Sequence, residues 1–518
     1  MVSLDQRMMQ YLQSLSLSIW DFVSLLLLLS SSLILFNTII MKLVATHKKK
    51  KQPPPGPPKL PLLGHLHLPH RSLRDLSAKY GPVMLLKLGS VPTMVVSSAA
   101  AARDLFKLHD LASCSRPRLA ASGRFSYNFL DLNLSPYGER WRELRKICMV
   151  ELFSARRVQS FEKIREEEVG VLINSISQSA AWGSSPIDVN EKSYSLTASI
   201  TTRVAFGKTF RGGELDDENF QQVIRRAVAA LGSFSASDFF PGVGWIVDRV
   251  SGVHGRLEKS FAELDEFFQR VVDDRVNFRE TRRNHEENIV DVLLKMERDC
   301  SQSDTLKFTT DCIKALIMDI FLAGVETGAG IIVWAMAELV RNPRVMKKLQ
   351  HEIRSSIKGD QVKESELEKL EYLKMVVKEV LRLHPPATLL LPRETMSHFE
   401  LNGYDIDPKA HLHVNVWAIG RDPEWWINPE EFSPERFIGS NVDYRGQNFE
   451  LLPFGAGRRI CPGMNMGTLT VELALANMLL CFDWKLAQGM KEEDVDMEED
   501  AGLTTAKKSL LKLVPHPP

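Results

Sequence analysis

The sequence has no excess charge of either sign: 65 lysines and arginines balance 65 aspartates and glutamates over 518 residues. That balance argues against a nucleic-acid partner and against an acidic tail. Cysteine is scarce. The six, at positions 114, 148, 300, 312, 461 and 481, are too few and too scattered for a disulfide framework, which suggests a reducing environment. No Cys-x-x-Cys pair occurs, so zinc and iron–sulfur binding have little support. Apolar residues are plentiful at 44%, enough to bury a large core, and one large domain is expected.

The chain is organised around Pro453-Phe454-Gly455-Ala456-Gly457-Arg458-Arg459-Ile460-Cys461-Pro462-Gly463. A buried thiolate is costly unless a cation neutralises it, and glycines at 455, 457 and 463 let backbone amides turn toward the sulfur. Cys461 therefore reads as a metal ligand, Phe454 as its shield from water, and Arg459 as a partner for a negative group on a bound cofactor. The positions Phe454, Gly457, Arg459, Cys461 and Gly463 form a pattern that resembles the haem-binding loop of the cytochrome P-450 superfamily. The resemblance implies haem b with Cys461 as axial ligand to the iron, and the other four residues around it.

From Phe22 to Met41 the chain is uncharged and rich in Leu, Ile and Val. At 1.5 Å per residue such a run spans a hydrocarbon core of about 30 Å. No basic segment precedes it, so a retained anchor is expected over a cleaved signal. Lys42 and Lys48, Lys49, Lys50 and Lys51 follow the span, which puts the C-terminal bulk in the cytosol and the N-terminus in the lumen. Pro53-Pro54-Pro55-Gly56-Pro57-Pro58 then reads as a stiff extended spacer. The expected organisation is a lumenal stretch at 1–21, a transmembrane anchor at 22–41, a basic and proline-rich linker at 42–58 and the functional domain at 59–518. The sequon Asn133-Leu134-Ser135 should stay unmodified in the cytosol.

Pro136-Tyr137-Gly138 makes a turn ahead of a helix in which Trp141 and Arg145 share a face and can approach one anion. Arg142 and Lys146 form a separate basic pair. By spacing alone, an ordinary amphipathic helix explains this segment equally well. From Cys312 to Val340 a second apolar run is interrupted by Lys314, Asp319, Glu326 and Glu338, which makes it a buried helix instead of a membrane span. Gly324, Gly328 and Gly330 inside it cost about 1 kcal/mol each relative to alanine. Either close approach of a ligand or packing against another backbone offsets that cost. The adjacent Glu326 and Thr327 need partners, which a proton-delivery route would supply. Glu379 and Arg382 pair at i, i+3 in a helix that ends before His384-Pro385-Pro386. The following run, Ala387 to Arg393, is apolar, bounded by prolines and expected to be extended.

Four of these segments extend the resemblance in the family's order. Trp141 and Arg145 match the helix that holds a haem propionate. Ala323, Gly324, Glu326 and Thr327 match the oxygen-activating motif, in which Thr327 would bond iron-bound dioxygen or its neighbouring water and Glu326 would relay protons. Val325 and Gly328 depart from the plant pattern. Glu379, Arg382 and, from Pro434-Glu435-Arg436-Phe437, Arg436 match a structural triad, supported by Trp426, Pro429 and Phe432. By the same resemblance, 387–391 passes over the haem, Arg393 meets a propionate, and Gly502-Leu503-Thr504-Thr505 enters the pocket from the other side.

The implied fold is mainly α with a small β region, preceded by a single transmembrane helix. The implied activity is that of an endoplasmic-reticulum monooxygenase, dependent on dioxygen and on NADPH through a separate cytochrome P-450 reductase. Arg142 and Lys146 would help dock that reductase. The linker and cysteine loop look most like the large plant clan that oxidises apolar terpenoids, phenylpropanoids and alkaloids. A haem-thiolate isomerase or dehydratase, or a non-catalytic membrane haem sensor, are the rival readings.

Overall fold

A long helix, Thr310–Arg341, runs through the core, with Val189–Phe206 packed along it. The computed structural model describes residues 52–518 except 61–63, 66–69, 182–185, 208–216, 282–286, 301–307 and 501, with Met8, Met9, Ser24 and Ser32 nearer the N-terminus. The anchor expected at 22–41 falls outside the described residues, apart from two isolated serines, as does most of the linker. From Pro54 to Pro518 the chain is one compact unit.

The long helix takes up the polar residues that interrupt its apolar run, burying Lys314 and Glu338 and partly burying Asp319 and Glu326, and each has a partner. Lys314 meets Asp265 at 2.6 Å, Asp319 accepts the amides of Leu132 and Asn133, and Glu338 meets His384 at 2.7 Å, whose ring stacks on Trp334. Such pairing offsets the desolvation that would otherwise forbid these residues in a core. Two of the three glycines serve packing. A Cβ on Gly328 would come within 3.2 Å of Thr197 Cγ2, and one on Gly324 within 3.4 Å of Thr201 Oγ1. The close approach lets Thr197 donate across the interface to the Val325 carbonyl at 2.9 Å. The interior run at 310–341 is thus a core helix, as its charges foretold.

The β region is small. Val83–Leu88, Val91–Val96, His411–Val414 and Arg393–Glu394 form one four-stranded sheet in that order, with the second and third strands parallel at Thr93 opposite His411. A three-stranded sheet joins Ile187–Asp188, Lys512–His516 and Asp483–Leu486. The proline-rich segment lies along the first strand: Leu85 donates its amide to Pro55 at 2.9 Å, and Gly56 leaves room for the Leu85 carbonyl. Proline offers carbonyls but no amides, so docking as an acceptor is the bonding open to it.

The segment after Pro386 departs from expectation. Instead of running extended, 387–390 folds into a turn closed by the Leu390 amide on the Ala387 carbonyl, with Leu390 at φ 53°. The reason is competition for its carbonyls. Thr388 and Leu389 accept from Trp417 and Val414, while Leu391 and Pro392 both accept from Arg116. Extended backbone begins only at Arg393.

Candidate functional site

Cys461 sits between a tight turn at Gly457–Arg459 and the start of the helix Met464–Cys481. Its amide donates to the Phe454 carbonyl at 3.0 Å, which closes the loop. The amides of Gly463 and Met464, free donors of the helix N-terminus, lie near enough to its sulfur to favour the thiolate. Burial raises the thiol's pKa, while these amides and Arg145 favour the thiolate. Gly457 is needed for a different reason from the one its spacing suggested. It holds φ 69°, and a Cβ there would strike the Asp110 carboxylate at 2.5 Å. Phe454 packs edge-on against Tyr444.

Around this loop lies a concentration of buried and part-buried arginine. Arg459 spends its donors on the carbonyls of Cys114, Leu132 and Ser135, and its guanidinium carbon lies over the Trp141 ring, 3.9 Å from the centroid. Trp141 Nε1 donates to the same Leu132 carbonyl at 2.8 Å, and Arg145 donates to the Ile460 carbonyl at 2.6 Å. Trp141 and Arg145 therefore share a helix face, as their spacing predicts, but each has its own backbone partner. Arg393 is paired with Asp110 at 2.9 Å and donates to the Ala456 carbonyl. Arg116 donates to Asn133, Leu391 and Pro392 carbonyls. Burial and mutual repulsion push Arg459 down to about 9 and Arg116 well below its usual value. The guanidinium groups outnumber Asp110 and Asp131, the carboxylates nearest them. Such a cationic surplus suits a bound group with acidic arms.

Behind the loop, Glu379 is fully buried. Its carboxylate takes Arg382 Nε and Nη2 at 2.8 Å each, Arg436 Nε at 2.9 Å and the Ser433 amide at 2.9 Å. Arg382 then reaches the carbonyls of Gly420, Pro429 and Glu431, and both arginines lie near the Trp426 ring. The three residues read as a triad from sequence are thus in contact, and they tie the 420–436 segment to the helix Glu371–Leu383.

On the long helix, Ala323 and Gly324 are exposed within the body, and Thr327 donates to the Ala323 carbonyl at 2.6 Å. Glu326 does not meet Thr327. Its carboxylate accepts from Thr504 at 3.0 Å, and burial raises its pKa against the opposing pull of Thr504 and Arg225. The loop carrying Thr504 is fixed by Thr505, whose amide donates to Pro386 and whose hydroxyl meets Thr388. The two segments expected to flank the pocket therefore touch each other.

A family model for cytochrome P450 matches residues 54–513. The chain belongs to the cytochrome P450 family. It is 52% identical to cytochrome P450 71B37 and to cytochrome P450 71B34 of Arabidopsis thaliana, over 89% of this chain and 92% of each relative. These relatives agree with the plant clan read from the cysteine loop. A zebra fish cytochrome P450 solved with abiraterone superposes with a TM-score of 0.73 at 21% identity, covering 87% of this chain and 99% of that one, which shows the P450 fold. Membership makes this P450 a monooxygenase by family and implies a haem. The residues present fit one. Cys461 supplies one sulfur at a helix N-terminus, and the guanidinium surplus around it suits a group with acidic arms. A Cβ on Gly463 would meet no atom of a distant segment within 4 Å, so open space adjoins the loop two residues after Cys461.

Sequence reasoning missed Arg116, Asp110 and Asp131. Arg116 stands alone between Ser115 and Pro117 in a segment without periodicity, and no local signal marks it. The carboxylates become visible only through the arginines they face.

Proposed function

We propose that this P450 is a monooxygenase of the endoplasmic-reticulum membrane, anchored through 22–41 with its catalytic body in the cytosol. It takes electrons from NADPH through a separate reductase and inserts one oxygen atom into an apolar plant specialised metabolite of terpenoid, phenylpropanoid or alkaloid type. The observation that carries the reading is Cys461 at the N-terminus of the helix Met464–Cys481, beside Arg145 and Arg459 and near buried Arg116 and Arg393.

Haem b, when bound through Cys461, supplies the activation of dioxygen. The chain's own residues do the rest. The amides of Gly463 and Met464 stabilise the thiolate and restrain its donation. Arg459, Arg145, Arg393 and Trp141 would hold acidic arms of the cofactor, and Phe454 would shield the sulfur. Ala323 and Gly324 leave the long helix without bulk at its open face. Glu326, whose burial keeps a proton on the carboxyl to higher pH than usual, is placed to pass protons inward, and Thr327 to hold an oxygen atom or water beside it. Glu379, Arg382 and Arg436 lock the scaffold beneath. Exposed Arg142 and Lys146 give an acidic donor a docking point.

The test is a carbon monoxide difference spectrum of the purified protein, followed by incubation of microsomes bearing protein and reductase with a plant extract. The expected result is the red-shifted band of thiolate-ligated ferrous haem, lost in Cys461→Ala, and product that requires NADPH. A band that survives Cys461→Ala would remove the ligand assignment. Turnover without NADPH would favour an isomerase or dehydratase.

A further inference from the structure

A buried and a part-buried carboxyl group come together where the 131–135 segment crosses the long helix. Asp131 is 1% exposed, and its Oδ1 has no hydrogen-bond donor. Its Oδ2 accepts the Leu134 amide at 2.6 Å. Asp319, on the long helix eight residues before Thr327, accepts the amides of Leu132 at 2.8 Å and Asn133 at 3.3 Å through one oxygen, Oδ2. Because Asp319 holds the amide of Leu132, the residue next to Asp131, the two carboxyl groups are brought together and each acts on the other's ionisation. Two bare carboxylates in that position would repel, and Asp131 Oδ1 would be left buried and unbonded. One proton between them cures both faults.

We propose that Asp131 and Asp319 share a single proton and act as a positioning pair, holding the 131–135 segment on the long helix and, through its carbonyls, the guanidinium of Arg459 over the cysteine loop.

The segment carries the acceptors that orient Arg459. Ser135 O takes Nη2 at 2.7 Å, and Leu132 O takes Nη1 at 3.3 Å while also receiving the Trp141 indole. Neither aspartate touches the cofactor face; both act through the backbone they fix. The charged neighbours are Arg459 from the cysteine loop and Arg116 ahead of the segment, both favouring ionisation of Asp131, and Cys148 from the helix Glu139–Glu151, whose buried thiol faces Asp319. Burial raises both acids, and Asp131 raises Asp319 further. The sign follows: the folded protein holds this proton more tightly than the unfolded chain, so stability falls as pH rises toward the pair's titration.

The experiment uses full-length protein and three variants. Asp319→Asn keeps an acceptor for the Leu132 and Asn133 amides and offers a permanent N–H to Asp131. Asp319→Ala offers neither. Asp131→Asn tests the pair from the other side. The first readout is the infrared carbonyl stretch of a protonated carboxylic acid at neutral pH, which is independent of turnover. The stretch is expected in the wild type, shifted in heavy water and lost in Asp319→Asn. The second is the pH at which the thiolate-type carbon monoxide band is lost on alkaline incubation. Asp319→Asn should keep wild-type haem content and move that midpoint up by about one unit or more, a tenfold change in proton concentration. Asp319→Ala should lose the band across the range, and Asp131→Asn should behave as Asp319→Asn does. Absence of a protonated-acid stretch that these substitutions remove, or haem loss in Asp319→Asn equal to that in Asp319→Ala, would overturn the proposal.

Discussion

Thr504 donates its hydroxyl to the Glu326 carboxylate at 3.0 Å, so the acid of the long helix is held by the C-terminal loop and not by its neighbour Thr327. Under the function proposed above, that hydrogen bond would link proton supply to the loop that enters the pocket. The hydroxyl favours the ionised carboxylate, and burial opposes it. Thr504→Val should raise the pKa of Glu326 further, so the pH limb of coupled turnover attributable to this acid moves to higher pH. Thr504→Ser should restore it. The check is product formed per NADPH consumed across pH, and an unmoved limb in Thr504→Val would separate this hydroxyl from proton delivery.

Glu326→Gln removes the transferable proton while keeping a partner for Thr504. Coupled turnover should fall by on the order of 10²-fold with haem content intact. Comparable product yield, measured alongside peroxide release, would assign proton delivery elsewhere.

Glu379→Ala strands Arg382 and Arg436 as buried cations without a counter-charge. Breaking such a pair from one side costs about 3–5 kcal/mol. The variant should show a lower Tm and greatly reduced haem content. Normal haem loading would show that the 420–436 segment holds without the triad.

The glycines of the long helix should respond differently to alanine. Gly330 has no protein atom near a new Cβ, so Gly330→Ala should stabilise by roughly 0.5–1 kcal/mol through helix propensity alone. Gly328→Ala must displace the Thr197 methyl from 3.2 Å and should gain less or lose stability. Denaturant midpoints of the two variants, compared directly, decide this.

Arg142 and Lys146 are exposed on a helix whose opposite face carries buried Trp141. Reversing both charges should slow NADPH-supported reduction several-fold at low ionic strength, with the difference closing as salt screens it. A salt-independent defect would point to altered folding.

Local spacing was sufficient wherever function and neighbours lie within one turn or one helix. The cysteine loop, the Glu379–Arg382 pair, the shared face of Trp141 and Arg145, and the burial of the 310–341 helix were all legible, because glycine, helical periodicity and charge interruptions act over a few residues. The sequence also determined the family, since ordered motifs along the chain do not depend on how it folds. Only the tertiary structure decided which buried groups face each other. Arg393 finds Asp110 283 residues away, and Thr504 finds Glu326 at a separation of 178. The turn at 387–390 likewise exists because distant amides and Arg116 claim its carbonyls. Hydrogen bonds between remote segments leave no period in the sequence, so their partners appear only once packing has removed water and forced each polar group to choose among those nearby.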